Sequence, residues 1–219
     1  MQLILLGLPG VGKGTQAKVL ASHLGLLHIS TGDMFRDAAE KRTSLGLSAQ
    51  EYMSKGQLVP DEVTISMLLE RIVETDAQKG IMLDGFPRTI PQAKALDAAL
   101  KNRGSLINAV LYIQVPENEL LARLTGRWTC GECGEIYHTQ TNPPQKEKSC
   151  DLCDGMLGQR ADDQPDTVRE RLNANREWTE QLVNYYEGFS KLHSIDGTGE
   201  PEEITARLIS VIEMVSVAR

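Results

Sequence analysis

Apolar residues along this chain fall into short unbroken runs, separated by stretches where they recur every third or fourth position. Five runs stand out: LILLG (3–7), LLHIS (26–30), GIMLDG (80–85), NAVLYIQV (108–115) and LHSIDG (192–197). An unbroken run predicts a strand covered on both faces, whereas alternation would predict one covered face. The intervening stretches carry the helical period. Helices are predicted over 13–24, 61–74, 90–104, 167–189 and 201–215. In the second of these, Val63, Ile65, Leu68, Leu69 and Ile72 make one broad stripe; in the third, Thr89 offers an N-cap and Gly104 a stop. Strands alternating with helices predict an α/β fold with a parallel sheet.

Two stretches break the alternation. Residues 30–59 carry helical patterns but no strand, and residues 126–163 are rich in Gly, Pro, Cys, Thr and Asp. Both are expected to be insertions on a core built from 1–29, 60–125 and 164–219. Ligands of open α/β sheets bind beyond the carboxyl ends of the strands, where such insertions would sit.

Composition narrows the class. With 219 residues, 41% hydrophobic and 24% charged, the chain has the balance of a globular protein large enough for a full core. No apolar run approaches the ~18 residues of a membrane span. The N-terminal MQLILLG lacks a basic segment, so no signal peptide is expected and the cytoplasm is the expected location. A net charge of −7 speaks against a general nucleic-acid binder, though not against a small anionic ligand held by local arginines.

The first candidate chemistry lies at GLPGVGKGT, residues 7–15. Gly7 to Lys13 fit the phosphate-loop spacing G-x-x-x-x-G-K, directly after a strand and opening a helix. Glycines let backbone N–H groups converge on phosphate oxygens, and the helix N-terminus adds favourable partial charge. The next residue is Gly14 instead of Ser or Thr, with Thr15 one place later.

The second candidate is a metal site. All four cysteines occur as two C-x-x-C pairs, Cys130/Cys133 and Cys150/Cys153, with sixteen residues between the pairs. That spacing fits structural zinc. Disulfides would be disfavoured in a reducing compartment, and redox chemistry ordinarily uses a single such pair. Iron with four thiolates uses similar ligands. Few large apolar side chains lie between Cys130 and Cys153, so a metal is expected to hold this segment together.

GLPGVGKGTQ also resembles the phosphate loop of the nucleoside monophosphate kinases, adenylate kinases above all. ISTGDMFR (29–36), LDGFPRTIPQA (83–93), LTGR (124–127), QRADD (159–163) and VRERL (168–172) resemble further signatures of that family, in family order and almost end to end. The likeness is to the long-lid, zinc-containing bacterial type, and it makes Gly14 a family mark. It implies a P-loop three-layer sandwich with a five-stranded parallel sheet, an AMP-binding helical insertion at 30–59 and a zinc-containing lid at 126–163. The implied reaction is magnesium-dependent transfer from ATP to AMP, giving two ADP.

The resemblance also implies site residues. For ATP these are Pro9, Gly10, Val11, Gly12, Lys13, Gly14, Thr15, Arg123, Arg127, Tyr137, His138 and Gly199. For AMP they are Thr31, Arg36, Gln57, Leu58, Val59, Gly85, Arg88, Gln92, Arg160 and Arg171. Lys13, Arg88, Arg123, Arg127, Arg160 and Arg171 would surround the transferring group, and Asp84 would organise magnesium through water, with Asp33 in support. Zinc would sit on Cys130, Cys133, Cys150 and Cys153. One departure is Trp128, where many relatives carry a second arginine after Arg127.

The chemistry is consistent with this set. Two polyanions repel: at an effective dielectric near 20, one pair of unit charges ~4 Å apart costs ~4 kcal/mol. A phosphate monoester is mostly dianionic at neutral pH, so no general base is required and catalysis reduces to positioning and charge neutralisation. Arginine suits that task through its permanent charge and planar fork. His23, His28 and His193 are expected to be structural. A monomer acting on ATP, AMP and ADP, without nucleic acid or membrane, is the expectation. Two alternatives stay open: a kinase for another nucleoside monophosphate, and a zinc-ribbon nucleic-acid-binding NTPase.

Overall fold

The computed structural model describes residues 1–74 and 79–217; residues 75–78, inside the expected core segment 60–125, and residues 218–219 lie outside the described residues. In chain order the strands are β1 (Gln2–Leu6), β2 (Leu27–Ser30), β3 (Ile81–Asp84), β4 (Ala109–Gln114), β5 (Arg127–Cys130), β6 (Ile136–His138), β7 (Leu157–Gly158) and β8 (Leu192–Asp196). The helices are α1 (Lys13–Leu24), α2 (Thr31–Glu40), α3 (Ser44–Ser54), α4 (Asp61–Ile72), α5 (Ile90–Asn102), α6 (Glu117–Thr125), α7 (Pro165–Glu187) and α8 (Pro201–Val217).

The five apolar runs form one parallel sheet in the order β2-β3-β1-β4-β8. Their continuous apolarity has a simple cause. In β1, Leu3 and Leu5 enter the cluster beneath α1 and α8, while Ile4 and Leu6 enter the cluster beneath α4, α5 and α7. Both faces are buried, which gives three layers. In α4, Leu68 and Ile72 are fully buried in the second cluster, Ile65 and Leu69 pack against it, and Val63 turns toward residues of the helical insertion.

Register aligns the strand ends that matter. Leu5 and Ser30 both pair with Asp84, so the carboxyl ends of β1, β2 and β3 stop at one level. The loop from 7 to 12 leaves central β1 there. Ser30 caps α2 by accepting from Asp33 N (3.3 Å), and Thr43 caps α3 by accepting from Gly46 N (3.0 Å). These two helices make the insertion after β2, with Phe35, Ala49 and Val59 as a small core of their own.

The cysteine segment forms a separate antiparallel sheet, ordered β6-β5-β7. Its core is Cys130, Tyr137, Cys150 and Leu157, with Trp128 packed against it. At its base Gln159 Nε2 donates to Thr125 O (2.8 Å), and the His138 ring lies against Gly126 with Nε2 3.3 Å from Ala122 O. It also touches α1, where Lys18 Nζ donates to Gly134 O (3.2 Å). Among the described residues no helix is long and apolar enough to cross a membrane.

Candidate active site

The phosphate loop is shaped by its glycines. Gly7 has φ +145°, and a Cβ there would lie 2.5 Å from Ile113 O, so only glycine lets the loop lie so close to β4. Gly12, at φ +93°, precedes α1 and supplies no side-chain cap, which leaves the first-turn N–H groups of α1 facing the cleft. A Cβ at Gly14 would lie 3.5 Å from Asp84 Oδ2, an ordinary contact, so glycine here keeps the space between loop and carboxylate open.

Lys13 folds over this loop, and its Nζ donates to Gly7 O (2.7 Å) and Leu8 O (2.9 Å). Burial brings its ammonium down to about 7, opposed by Asp84 and assisted by the charges of Arg88, Arg171 and Arg127.

A cleft of about 930 Å³ runs from the loop to the small sheet, and six arginines line it: Arg36, Arg88, Arg123, Arg127, Arg160 and Arg171. They come from α2, the β3–α5 loop, α6, β5, the strand-to-helix linker and α7. Burial also lowers Arg88 and Arg160 to about 10, and Arg160 Nε is buried without a partner. Other arginines are held by acids. Arg127 binds Asp163 through two hydrogen bonds of 2.8 and 2.6 Å, and Arg171 meets Asp162 at 2.8 Å and Asp163 at 3.4 Å. Arg36 pairs with Asp33; burial alone would raise the Asp33 carboxyl, but Arg36 outweighs it and holds it below the usual range.

A second, smaller pocket of about 50 Å³ opens beside this cluster, lined in part by Thr31, Gln57, Leu58, Val59, Gly85 and Gln92. It shares Arg36, Gly85, Arg88 and Arg171 with the large cleft. Thr31 Oγ1 donates to Gly85 O (2.9 Å), and Arg88 Nε donates to the same carbonyl (2.8 Å). The loop carrying Gly85 and Arg88 includes the cis peptide Phe86–Pro87.

Most residues expected from the sequence therefore converge. Pro9, Gly10, Gly12, Lys13, Gly14, Thr15 and Asp84 line the large cleft. Val11 does not, because its side chain is buried in the α1–α8 core. Three others expected at ATP also lie outside the cleft wall. Tyr137 is buried among the cysteines: its hydroxyl accepts from Asp151 N (2.8 Å) and lies 3.5 Å from Cys150 Sγ. Nδ1 of His138 accepts from Gln140 N and Thr141 N, and its ring rests on Gly126. Gly199 lies in the β8–α8 turn beside Glu203.

The sequence missed other residues. His28, expected to be structural, lines the cleft with Nε2 3.6 Å from Asp84 Oδ2. Trp178 lines it from α7. Asp162 and Asp163, marked in the sequence only as part of the QRADD signature, are buried partners of the site arginines. No local motif marks such pairings, which cross 36 residues for Arg127 and Asp163.

The four cysteines gather as their spacing predicts. All four Sγ atoms lie within 4.8 Å of one another, with Cys130–Cys153 at 3.5 Å and Cys133–Cys150 at 3.6 Å. A tetrahedral ion with metal–sulfur bonds of about 2.3 Å requires sulfur separations of about 3.8 Å, so the group fits a four-thiolate metal site. Donation from the Tyr137 hydroxyl draws the Cys150 thiol down to about 6, which favours the ligating thiolate.

Comparison with known proteins agrees with this geometry. Residues 5–191 match the family described as adenylate kinase. Among curated proteins, the chain is 50% identical to the adenylate kinase of Carboxydothermus hydrogenoformans, over 97% of this chain and all of that one. It is 47% identical to those of Archaeoglobus fulgidus (98% of this chain, 99% of that one) and Staphylococcus aureus (97% and 99%).

Proposed function

The chain belongs to the adenylate kinase family, and from that premise we propose how its own residues carry phosphoryl transfer from ATP to AMP. One observation carries the reading: six arginines and Lys13 converge on a single cleft that joins the glycine loop to a small pocket sharing Arg36, Arg88 and Arg171 with it. ATP, arriving as its magnesium complex, lays its phosphates on the loop N–H groups and on Lys13. AMP enters the small pocket, with its phosphate on Arg36, Arg88 and Arg171 and its base against Gln57, Leu58, Val59, Thr31 and Gln92. Arg123, Arg127 and Arg160 bind the transferring group.

The arginines act by neutralising charge, so two polyanions can approach in line. Asp84, facing the loop at Gly14, orients the hydrated magnesium of the nucleotide through water. Residues 30–59 serve as the AMP-binding insertion and 126–163 as the lid, both on the core of 1–29, 60–125 and 164–219. Cys130, Cys133, Cys150 and Cys153 hold zinc, which supplies a cross-link and no reactive position, since four thiolates close its coordination. Tyr137 supports that site and does not touch nucleotide. The protein works as a cytoplasmic monomer with no nucleic-acid or membrane partner, in keeping with its acidic charge.

The deciding experiment offers AMP, GMP, UMP and CMP separately with magnesium-ATP and follows diphosphate formation. AMP should be the preferred acceptor, and Lys13→Met should cut kcat by several orders of magnitude with the fold intact. ATP hydrolysis without ADP formation from AMP, or Lys13→Met turnover within tenfold of the parent, would sink the assignment.

A further inference from the structure

Behind the small pocket lies a hydrogen-bond chain that no motif announces. Asp61, the first residue of α4, accepts from Thr89 Oγ1 through Oδ2 (2.8 Å) and from Gln92 Nε2 through Oδ1 (2.7 Å). On the other side of the same amide, Arg88 N donates to Gln92 Oε1 (2.8 Å). Thr89 closes the chain by accepting from Gln92 N (3.3 Å) as the cap of α5. Gln92 is only 2% exposed, so water cannot relieve a wrong contact.

The two ends of a glutamine amide have nearly the same shape and opposite hydrogen-bonding character. Here the neighbours choose between them. A carboxylate offers only acceptors and a backbone N–H only donates. Turning the amide over would set Oε1 against Asp61 Oδ1 and Nε2 against Arg88 N, two repulsive contacts in a buried place.

We propose that Asp61 is a positioning residue that selects the acceptor base by fixing the Gln92 amide in one orientation. This rests on the reading above, in which Gln92 meets the base of the monophosphate. Held this way, the amide has one Nε2 hydrogen and one Oε1 lone pair left for a ligand. A 6-aminopurine presents a donor at its amino group and an acceptor at N1, which complements them. A 6-oxopurine presents the reverse pattern, an acceptor at O6 and a donor at N1, and would need the overturned amide. Asp61 never touches the nucleotide; it makes the wrong base costly by denying the flip.

The test uses the full-length enzyme with magnesium-ATP and compares kcat/KM for AMP with kcat/KM for inosine monophosphate. Asp61→Ala should lower the AMP-to-inosine ratio at least fivefold, mainly through KM. General loosening of the site would lower both values together and leave the ratio alone. A ratio within twofold of the parent would overturn the proposal. If Asp61→Ala fails to fold, Asp61→Asn keeps the shape but offers either a donor or an acceptor, and the same criterion applies to it. Gln92→Ala separates the two layers. If it lowers the ratio while the Asp61 variants do not, Gln92 reads the base unaided and only the present proposal falls. If Gln92→Ala leaves the ratio unchanged, the base is not read at Gln92 and both readings fall.

Discussion

Lys13 is partly withdrawn from water before any phosphate reaches it, and this has a measurable consequence. Its ammonium titrates near 7 in the free enzyme because burial disfavours the charged form. A triphosphate beside it favours that form again, so the value rises on binding. Between the two values the complex holds a proton that the free enzyme lacks. ATP binding at pH 7–8 should therefore take up protons, approaching one per site, and affinity should weaken as pH climbs above 7. Titration calorimetry in buffers of different ionisation enthalpy checks this. Proton release, or no exchange at all, would mean that Lys13 is charged throughout. Folding of the nucleotide-free protein responds in the opposite direction: native Lys13 holds its proton less tightly than the unfolded chain, so its contribution to stability is lost as pH falls through about 7 and is fully present only above its unfolded value of 10.5.

At the scale of elements, the helical insertion proposed above to bind AMP depends on how closely two helices cross. Gly46 of α3 meets α2 so tightly that a Cβ would come 2.1–2.2 Å from the backbone of Ala38 and Ala39. Backbone cannot step aside as a side chain can. Gly46→Ala should cost about 1–3 kcal/mol locally and raise KM for AMP several-fold, with KM for ATP nearly unchanged. Steady-state kinetics on both substrates tests it.

Segment 126–163, proposed above as a zinc-holding lid, should answer to loss of that metal in a different way. Removing the metal, or Cys130→Ser, should lower stability most within the small sheet. Turnover at low temperature should fall far less than for Lys13 or Arg88 variants. Hydrogen exchange of residues 126–163 alongside low-temperature activity would separate these effects. Full stability with abolished turnover would make the metal catalytic.

The elements also show what sequence could give. Each apolar run became a strand within about one residue of its predicted limits, because burial on both faces leaves so strong a pattern. Helix α6 was missed: it has only nine residues, with Leu120 and Leu124 fully buried and Glu117, Glu119 and Arg123 interspersed around them. The strands of the small sheet run from two to four residues, too short for any period to register. The site arginines were legible through motifs. The pairing of Arg127 and Arg171 with Asp162 and Asp163, and the places of His28 and Asp61, were not, since tertiary packing alone brings them there.

Across the whole molecule, both insertions reach the same cleft. A Cβ at Gly56, just after α3, would lie 3.2 Å from Thr167 O in α7, and Lys18 of α1 reaches Gly134. The cleft is lined by both insertions, with Asp33 and Arg36 from one and Arg127 and Arg160 from the other. Excluding water matters because water would otherwise compete with AMP for the phosphoryl group; closure of the adenylate kinase lid is itself an established example of such gating. Trp128, packed on the cysteine cluster, should report that movement, while Trp178 in the cleft wall would report ligand directly. In a Trp178→Phe background, a bisubstrate analogue bridging both sites should change Trp128 emission. Unchanged emission at saturation would count against lid closure.

The hydrogen bond between Thr125 and Gln159 has one more consequence, in the statistics of the chain. It marks where the segment leaves and re-enters the larger body, so residues 126–158 amount to a long loop whose ends already meet. Closing a loop costs entropy that grows only with the logarithm of its length, about 0.6 kcal/mol per doubling. The larger body should hardly register whether that loop is long and metal-bound or only a few glycines. A protein with 128–158 replaced by a short linker, which keeps the Arg127–Asp163 pair, should keep nearly the parent denaturation midpoint while losing most phosphoryl transfer, because the small sheet no longer lines the cleft. On this view the proposed lid is a part the rest of the chain can fold without, and one whose length and four-cysteine site can vary without disturbing the sheet.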